Sequence, residues 1–201
     1  YLLTYTPMGL ALQQTGCKAS GPIVVDFASN KASYRRSKGG GELLVKAVGG
    51  NIQQRPTVVD ATAGLGSDSF VLASWGCFVT LCERSPLVGC LLEDGLQRAK
   101  SIGDCGIQKI INRMHLMRLD AIDYLQQLDA VNLPDVVVID PMFPPSKKTS
   151  LSKKEMRALQ QLVGVDQDGT SLLLAALAAA RHRVVVKRPI KAKCLFDREP
   201  S

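Results

Sequence analysis

Short β-branched and apolar runs alternate with stretches of helical spacing through most of this 201-residue chain. The runs predict five strands, at residues 57–60, 78–82, 110–117, 135–140 and 183–187. The stretches between them predict helices, at residues 67–75, 86–100, 121–128, 153–162 and 171–180. This alternation is typical of βαβ units, so we predict an α/β fold around a mostly parallel sheet. The loops that follow the strands should then meet at one edge of the sheet, where such folds bind ligands.

The first 50 residues follow a different pattern. Two strand-like runs, at 8–13 and 23–27, flank a glycine-containing stretch and predict a hairpin. A basic, glycine-rich segment at 34–41 precedes a helix that should begin near Glu42. We therefore predict a small β-containing N-terminal extension over residues 1–50 and a main domain over residues 51–201.

Composition narrows the class of protein. The chain is 46% hydrophobic and 21% charged, which is ordinary for a globular protein. No apolar run reaches the roughly 18 residues that a membrane span requires. The six cysteines form no CxxC pair, and only two histidines accompany them, so we expect no metal site. Free thiols in a reducing compartment are the simplest interpretation, which predicts a cytoplasmic protein.

The net charge of +7 is unevenly distributed. Residues 51–140 carry a net charge of −4, whereas the two flanks together carry +11. Such asymmetry favours a polyanionic partner, and a merely solvated basic surface is the alternative.

A glycine-containing turn between the first predicted strand of the main domain and its helix is the first candidate for ligand binding. Gly64 and Gly66 let the backbone approach a ligand, and the following helix offers free N–H groups. Glu83 closes the next strand, where its carboxylate can accept hydrogen bonds from both hydroxyls of a ribose. That acidic position occurs in dinucleotide enzymes and in methyltransferases alike.

Two details favour S-adenosylmethionine over a dinucleotide. The third glycine of the dinucleotide fingerprint is absent, because Ser69 stands where glycine or alanine is expected. Asp60 precedes the glycines, where a carboxylate would repel a pyrophosphate but can serve the ammonium group of S-adenosylmethionine. Asp120, after the third strand, can accept a hydrogen bond from the adenine amino group, or can simply cap the next helix.

The segment DPMFPP, at residues 140–145, follows the fourth predicted strand. Methylating an aromatic amine requires its nitrogen lone pair to be aimed at the methyl donor. Asp140 and the carbonyl of Pro141 can accept the two N–H bonds, and Phe143 can stack on the base. The pattern predicts direct transfer to an exocyclic amine without a covalent enzyme intermediate. An Asp140 that only caps the next segment is the alternative.

These motifs resemble a known family. DATAGLGSDSF, LCERSP, VVIDPMFPP and VVVKRP, together with VVDF and RRSKGGGE near the N-terminus, are similar to the bacterial 16S ribosomal RNA guanine-N2 methyltransferases (the YhiQ-like proteins). The resemblance implies the Rossmann-like class I methyltransferase fold and S-adenosylmethionine as cofactor. It also implies methylation of the exocyclic N2 of a guanosine in small-subunit ribosomal RNA, with that RNA or the 30S subunit as partner.

By motif match, the resemblance places cofactor contacts at Ser67, Asp68, Glu83, Arg84 and Asp140. The family has further contacts after the third strand, which fall on Met117 and Arg118 here, although small serines are usual at those positions. Whether these two residues or Asp120 contact the adenosine stays open. The family also has residues before Tyr1 and a last strand after Lys193, which this chain, ending at Ser201, would lack.

The basic segments acquire a role under this interpretation, because lysine and arginine can hold RNA phosphates. The residues assigned to this role are Arg35, Arg36, Lys38, Lys147, Lys148, Lys153, Lys154, Lys187 and Arg188.

Three other functions compete with this assignment. The first is an N-methyltransferase that acts on DNA adenine or on a protein, since the DPxF pattern occurs in several amine methylators. The second is a non-catalytic RNA-binding protein with a methyltransferase fold. The third is a dinucleotide-dependent oxidoreductase, which Ser69 and Asp60 disfavour.

Overall fold

The structure is a computed structural model, and it describes residues 1–17, 19, 21–29, 32, 34, 43–49, 55–140 and 168–188. The central feature of this part of the chain is a five-stranded parallel sheet. Its strands, in chain order, are β4 (Thr57–Asp60), β5 (Phe78–Cys82), β6 (Met114–Met117), β7 (Val136–Ile139) and β8 (Arg183–Val186). The parallel α/β fold predicted from the sequence is therefore confirmed.

The order of the strands across the sheet is β6-β5-β4-β7-β8. The chain thus moves outward in one direction from β4 to β6 and then returns to the other side of β4 with β7. β4 and β7 pair directly, with Val59 opposite Val137. A crevice for ligands opens at such a reversal, beyond the carboxyl ends of the two strands.

Both faces of the sheet are covered, as the apolar β7 shows. Alternate side chains of a strand point to opposite faces. Val136 and Val138 belong to one hydrophobic cluster, and Val137 and Ile139 belong to another. All four are at most 1% exposed, so this strand is buried on both sides.

Helices supply these two layers. On one face lie α2 (Ser67–Trp75), α3 (Pro86–Ser101) and α4 (Cys105–Ile111). On the other lie α5 (Ala121–Gln126) and α6 (Gly169–Ala179). The predictions for α2, α3, α5 and α6 are correct to within about two residues at each end. The helix predicted at 153–162 lies outside the described residues. In the described part of the chain, no helix is both long and apolar enough to cross a membrane.

The prediction of one strand over residues 110–117 was wrong. Ile110 and Ile111 end α4, and only Met114–Met117 forms a strand. The Asp104 side chain caps α4 by accepting hydrogen bonds from the backbone N–H groups of Gly106 and Ile107. Ile107, Ile110 and Ile111 then share one buried helical face, so tertiary packing overrides the strand preference of isoleucine.

The N-terminal region forms a second sheet, which is antiparallel. It contains β1 (Leu2–Thr6), β2 (Gly9–Gln13) and β3 (Ile23–Val24), in that order. The predicted pairing of the second and third strands is confirmed, whereas β1 was not predicted from the sequence. A short helix, α1 (Leu43–Val48), follows and begins where it was expected.

This second sheet packs against α3. Asp94 accepts a hydrogen bond from the backbone N–H of Leu10, at 3.1 Å, and Arg98 donates one to the carbonyl of Val25, at 2.5 Å. Gly95 lies between these two residues, and a Cβ there would come within 2.9 Å of the Val25 carbonyl oxygen. Residues of β2 and β3 accordingly share the hydrophobic cluster that covers one face of the central sheet.

Candidate functional site

Acidic side chains follow the strands at the carboxyl edge of the central sheet. Asp60 ends β4, Glu83 follows β5, and Asp140 follows β7. Lys187 follows β8 and brings a positive charge to the same edge. Because all five strands are parallel, residues that lie far apart in the sequence converge here.

The turn between β4 and α2 adopts the conformation that its glycines permit. Gly64 and Gly66 have φ angles of 54° and 75°, in the left-handed region. The Gly64 N–H donates to Glu83 Oε2 at 2.9 Å, which ties the turn to the end of the neighbouring strand. A Cβ on Gly64 would meet nothing within 4 Å, so the backbone here faces open space that a ligand can approach.

Gly66 is constrained by its neighbours as well as by its backbone. A Cβ at this position would lie 2.7 Å from Leu92 of α3 and 3.2 Å from Phe27 of the N-terminal region. The ring of Phe27 also stacks on that of Phe70 in α2, with centroids 5.1 Å apart. The N-terminal region therefore supports the glycine turn directly.

Glu83 is only 9% exposed, and its carboxylate accepts hydrogen bonds from the backbone of two loops. Oε1 accepts a hydrogen bond from the backbone N–H of Ser85 at 2.7 Å, while Oε2 accepts the one from Gly64. The backbone N–H of Glu83 donates to the carbonyl of Met117, so β6 helps to fix its position. The side chain predicted to accept ribose hydroxyls is thus fixed beside the glycine turn.

Asp60 lies beneath that turn and is only 3% exposed. Its Oδ2 accepts a hydrogen bond from the Ser69 hydroxyl at 2.5 Å, and its Oδ1 accepts one from the Thr62 N–H at 3.2 Å. Burial raises the pKa of Asp60 from 3.8 to about 7, although the Ser69 hydrogen bond opposes the shift. Ser69, noted in the sequence only as a missing glycine, is the buried hydrogen-bond partner of this acid.

Asp140 is joined to the β4 turn and to β8. Its backbone N–H donates to Thr62 Oγ1 at 2.7 Å, and its Oδ2 accepts a hydrogen bond from Lys187 Nζ at 2.8 Å. Burial raises the pKa of the Asp140 carboxyl above its ordinary value, and the charge of Lys187 opposes that rise. No feature of the sequence pointed to the role of Thr62.

Lys187 also pairs with Asp68, in the first turn of α2, at 2.5 Å. Burial alone would lower the pKa of Lys187, but the charges of Asp68 and Asp140 raise it to about 12. The sequence assigned this lysine to RNA phosphates, whereas its ammonium lies between two carboxylates in the structure.

Arg84 links the adjoining loops. Its guanidinium contacts Asp168, before α6, at 2.5 Å and Asp120 at 3.4 Å. Asp120 caps α5 by accepting the Ile122 N–H at 2.8 Å, which is the alternative that the sequence left open for it. Its place after β6 still puts it at the edge where an adenosine contact was predicted.

Arg118 turns away from these carboxylates. It pairs with Glu93 of α3 at 3.0 Å and donates to the Cys90 sulfur at 3.2 Å. Met117, by contrast, contributes its backbone carbonyl to Glu83. Ser67 is exposed at the first position of α2, beside the glycine turn.

The remaining predicted site residues lie just beyond β8 or outside the described part of the chain. Arg188 is half-buried just beyond β8. Outside the described residues lie Arg35, Arg36, Lys38, Pro141, Phe143, Lys147, Lys148, Lys153 and Lys154.

The described cysteines are free thiols, at positions 17, 77, 82, 90 and 105. Burial, followed by the nearby charge of Asp60, raises the pKa of the Cys82 thiol to about 12, so this cysteine stays protonated at the base of the site. Within the described ranges, no three His, Cys, Asp or Glu residues are grouped as a metal site would require.

Comparison with known proteins gives consistent results. A family profile described as "Putative SAM-dependent methyltransferase" matches residues 1–201. A protein from Pseudomonas fluorescens is 49% identical over all of this chain and 77% of its own length. One from Thioalkalivibrio sulfidiphilus is 51% identical over 96% of this chain and 76% of its own length. Both are named ribosomal RNA small subunit methyltransferase J.

A solved structure is also similar. The crystal structure of a SAM-dependent methyltransferase from Neisseria gonorrhoeae superposes with a TM-score of 0.74 at 41% identity. The alignment covers 96% of this chain and 74% of that one. The match supports the Rossmann-like methyltransferase architecture seen in the sheet.

Proposed function

This chain belongs to the family of SAM-dependent methyltransferases, and on that premise we propose that it methylates the exocyclic N2 of a guanosine in 16S ribosomal RNA of the small subunit. The observation that carries the proposal is the position of Asp140. It follows β7 at the reversal of strand order, next to the glycine turn, and it begins the DPMF motif.

The choice of substrate is supported by two separate arguments. The relatives at about half identity are named as methyltransferases of small-subunit ribosomal RNA. The basic flanks of the chain, with their net charge of +11, suit a polyanion of that kind. The assignment of guanine N2 as the methylated atom rests on the motif resemblance, and on the need to hold an aromatic amine beside a carboxylate.

The residues at the carboxyl edge fit S-adenosylmethionine. The open backbone at Gly64 and the left-handed turn through Gly66 leave room for a ligand, and Glu83 is fixed beside them. We assign the remaining contacts to residues around this turn and the ends of β5 and β6: Asp60, Ser67, Asp68, Arg84 and Asp120, with Met117 and Arg118 as the alternative to Asp120 at the adenosine. When bound, the cofactor supplies an electrophilic methyl group.

In the proposed reaction, Asp140 accepts a hydrogen bond from one N–H of the substrate amine. This contact orients the nitrogen and favours the charge that develops on it during transfer. The Pro141 carbonyl is assigned the second N–H, and the Phe143 ring is assigned to stacking on the base. The proton that the product amine then loses passes to water or to Asp140.

The direct experiment is tritiated methyl transfer from S-adenosylmethionine to small ribosomal subunits from cells that lack this protein, followed by nucleoside analysis. We expect the label in N2-methylguanosine. Label in another nucleoside would refute the guanine assignment, and label recovered only in ribosomal protein would refute the RNA substrate.

Asp140→Ala should lower the rate of transfer at least about 100-fold, because the amine loses its hydrogen-bond acceptor. Asp129→Ala is the matched control, since this exposed acid lies in the loop that leads to the opposite edge of the sheet. Thermal unfolding of both variants shows whether the fold is kept. A folded Asp140→Ala variant that retains its turnover would contradict the assigned role.

A further inference from the structure

The ammonium of Lys187 lies between two carboxylates from different parts of the fold. Nζ is 2.5 Å from Asp68 Oδ2 and 2.8 Å from Asp140 Oδ2. Asp68 belongs to the first turn of α2, directly after the glycine turn, and Asp140 begins the chemical motif. One side chain thus connects the proposed cofactor loop with the proposed catalytic acid.

The backbone fixes this arrangement. β8 pairs with β7 in a register that sets Val186 opposite Ile139, and the Lys187 N–H donates to the Ile139 carbonyl at 2.8 Å. Asp140 and Lys187 therefore directly follow the paired residues that end the two adjacent strands. The sheet therefore places these two partly exposed side chains next to each other.

This environment is unsuited to a phosphate ligand. A phosphate that approached Lys187 would also meet the negative charges of Asp68 and Asp140, which repel it. The ammonium would have to leave two ion pairs in order to bind RNA. An orienting role within the site accounts for both contacts.

We propose that Lys187 is a positioning residue for methyl transfer: it holds Asp140 by one carboxylate oxygen and leaves the other to accept the substrate N–H. The proposal rests on the proposed function, since it assumes that Asp140 receives the amine. Among the described residues, no donor is bound to Asp140 Oδ1, which is the oxygen assigned to the substrate.

Lys187 also balances negative charge at this edge. Asp60, Asp68 and Asp140 come from three elements, and the charges of Asp68 and Asp140 each raise the pKa of Asp60. Burial already raises the pKa of Asp140, with Lys187 opposing the shift and Asp68 adding to it. Without the lysine, Asp140 would hold its proton to higher pH and could not accept a hydrogen bond at the protonated oxygen.

The test compares Lys187→Met, Lys187→Arg and a control, Arg183→Met, in the full chain. Arg183 lies on the same strand at the opposite edge of the sheet, so its loss changes the net charge equally. We expect Lys187→Met to lower kcat about 10- to 100-fold and to move the acidic limb of the kcat/KM profile up by about one pH unit. Lys187→Arg should restore the position of that limb, and Arg183→Met should leave both quantities unchanged.

RNA binding supplies the opposing prediction. If Lys187 instead held a phosphate, Lys187→Met would weaken RNA binding and reduce its salt slope by about 0.7 to 0.9, with kcat and the pH limb unchanged. That result would overturn the proposal.

A carboxylate titration separates this inference from the proposed function. Carbon-13 resonances of labelled aspartate, with Asp140 assigned through Asp140→Asn, report its protonation without any substrate. We expect a higher midpoint for Asp140 in Lys187→Met than in the wild type, and equal midpoints would refute the inference. A wild type that leaves small subunits unlabelled would count against the proposed function alone.

Discussion

Asp60 combines deep burial with an ionisable group, and its hydrogen bonds explain how the fold accommodates it. The carboxyl is 3% exposed and is bound by Ser69 and Thr62. Burial raises its pKa to about 7 in the folded chain, against 3.8 for an ordinary aspartate. Below pH 3.8 both states hold the proton, and between 3.8 and 7 the unfolded chain releases it first. The stability that Asp60 contributes is therefore full at low pH and is lost as the pH rises through 7.

Asp60→Asn should remove this dependence, because an amide resembles the protonated acid in shape and in hydrogen bonding. Between pH 5 and pH 8, we expect the free energy of unfolding of the wild type to fall relative to the variant by about 3 kcal/mol. Urea denaturation at the two pH values, without cofactor, measures the difference. Parallel pH profiles for the two proteins would show that Asp60 ionises normally in the folded chain.

At the scale of elements, the turn between β4 and α2 packs against both α3 and the N-terminal region. A Cβ on Gly66 in this turn would meet Leu92 of α3 and Phe27 of the N-terminal region. Gly64 has a similar left-handed backbone but faces open space. The two glycines therefore separate the effect of backbone strain from that of close packing.

Both Gly66→Ala and Gly64→Ala introduce left-handed strain of about 1–2 kcal/mol. Gly66→Ala should destabilise the protein by a further 1–3 kcal/mol or so, since its new methyl group must displace Leu92 and Phe27. Urea denaturation of the two variants measures the difference in their free energies of unfolding. Equal losses of stability would contradict the packing described for Gly66.

At the scale of the whole molecule, charge is segregated along the chain. The acidic middle contributes the carboxylates of the carboxyl edge, and the basic flanks contribute Lys187 to that edge and the other predicted RNA contacts. Carboxylates close to the reacting atoms can accept hydrogen bonds from an amine, whereas the binding of a polyanion requires positive charge outside that edge.

The triple variant Arg35→Ala, Arg36→Ala, Lys38→Ala tests the basic N-terminal segment. If each residue neutralises one phosphate, the slope of log affinity for RNA against log salt should fall by about 2 in total. Binding of small-subunit RNA at several salt concentrations gives this slope. Lys100→Ala, Lys109→Ala and Arg113→Ala together, which remove the same charge from the middle of the chain, are the control. Equal slopes for the two triple variants would show that the segment is ordinary solvated surface without specific phosphate contacts.

The sequence by itself determined what depends on local pattern. Buried strands such as β7 are continuous apolar runs, and parallel strands place their following loops at one edge, so the α/β fold and the line of acids after the strands were predictable. The glycine turn was predictable for the same reason, since a left-handed backbone requires a particular residue type. Local pattern predicted the wrong element where the same residues suit two structures. Ile110 and Ile111 have a high β propensity, which predicted a strand, but packing places them in α4.

Only the tertiary structure decided which side chains meet at that edge. Lys187 is 119 positions from Asp68 and 47 from Asp140, and nothing in a local pattern relates them. The contacts exist because β7 lies between β4 and β8 in the sheet. The same elements could have been connected in other strand orders, which would not bring these residues together. The same order sets the partners of Arg84 and turns Arg118 toward α3. Residue type fixed the chemistry available to this protein, whereas strand order fixed which groups can act together.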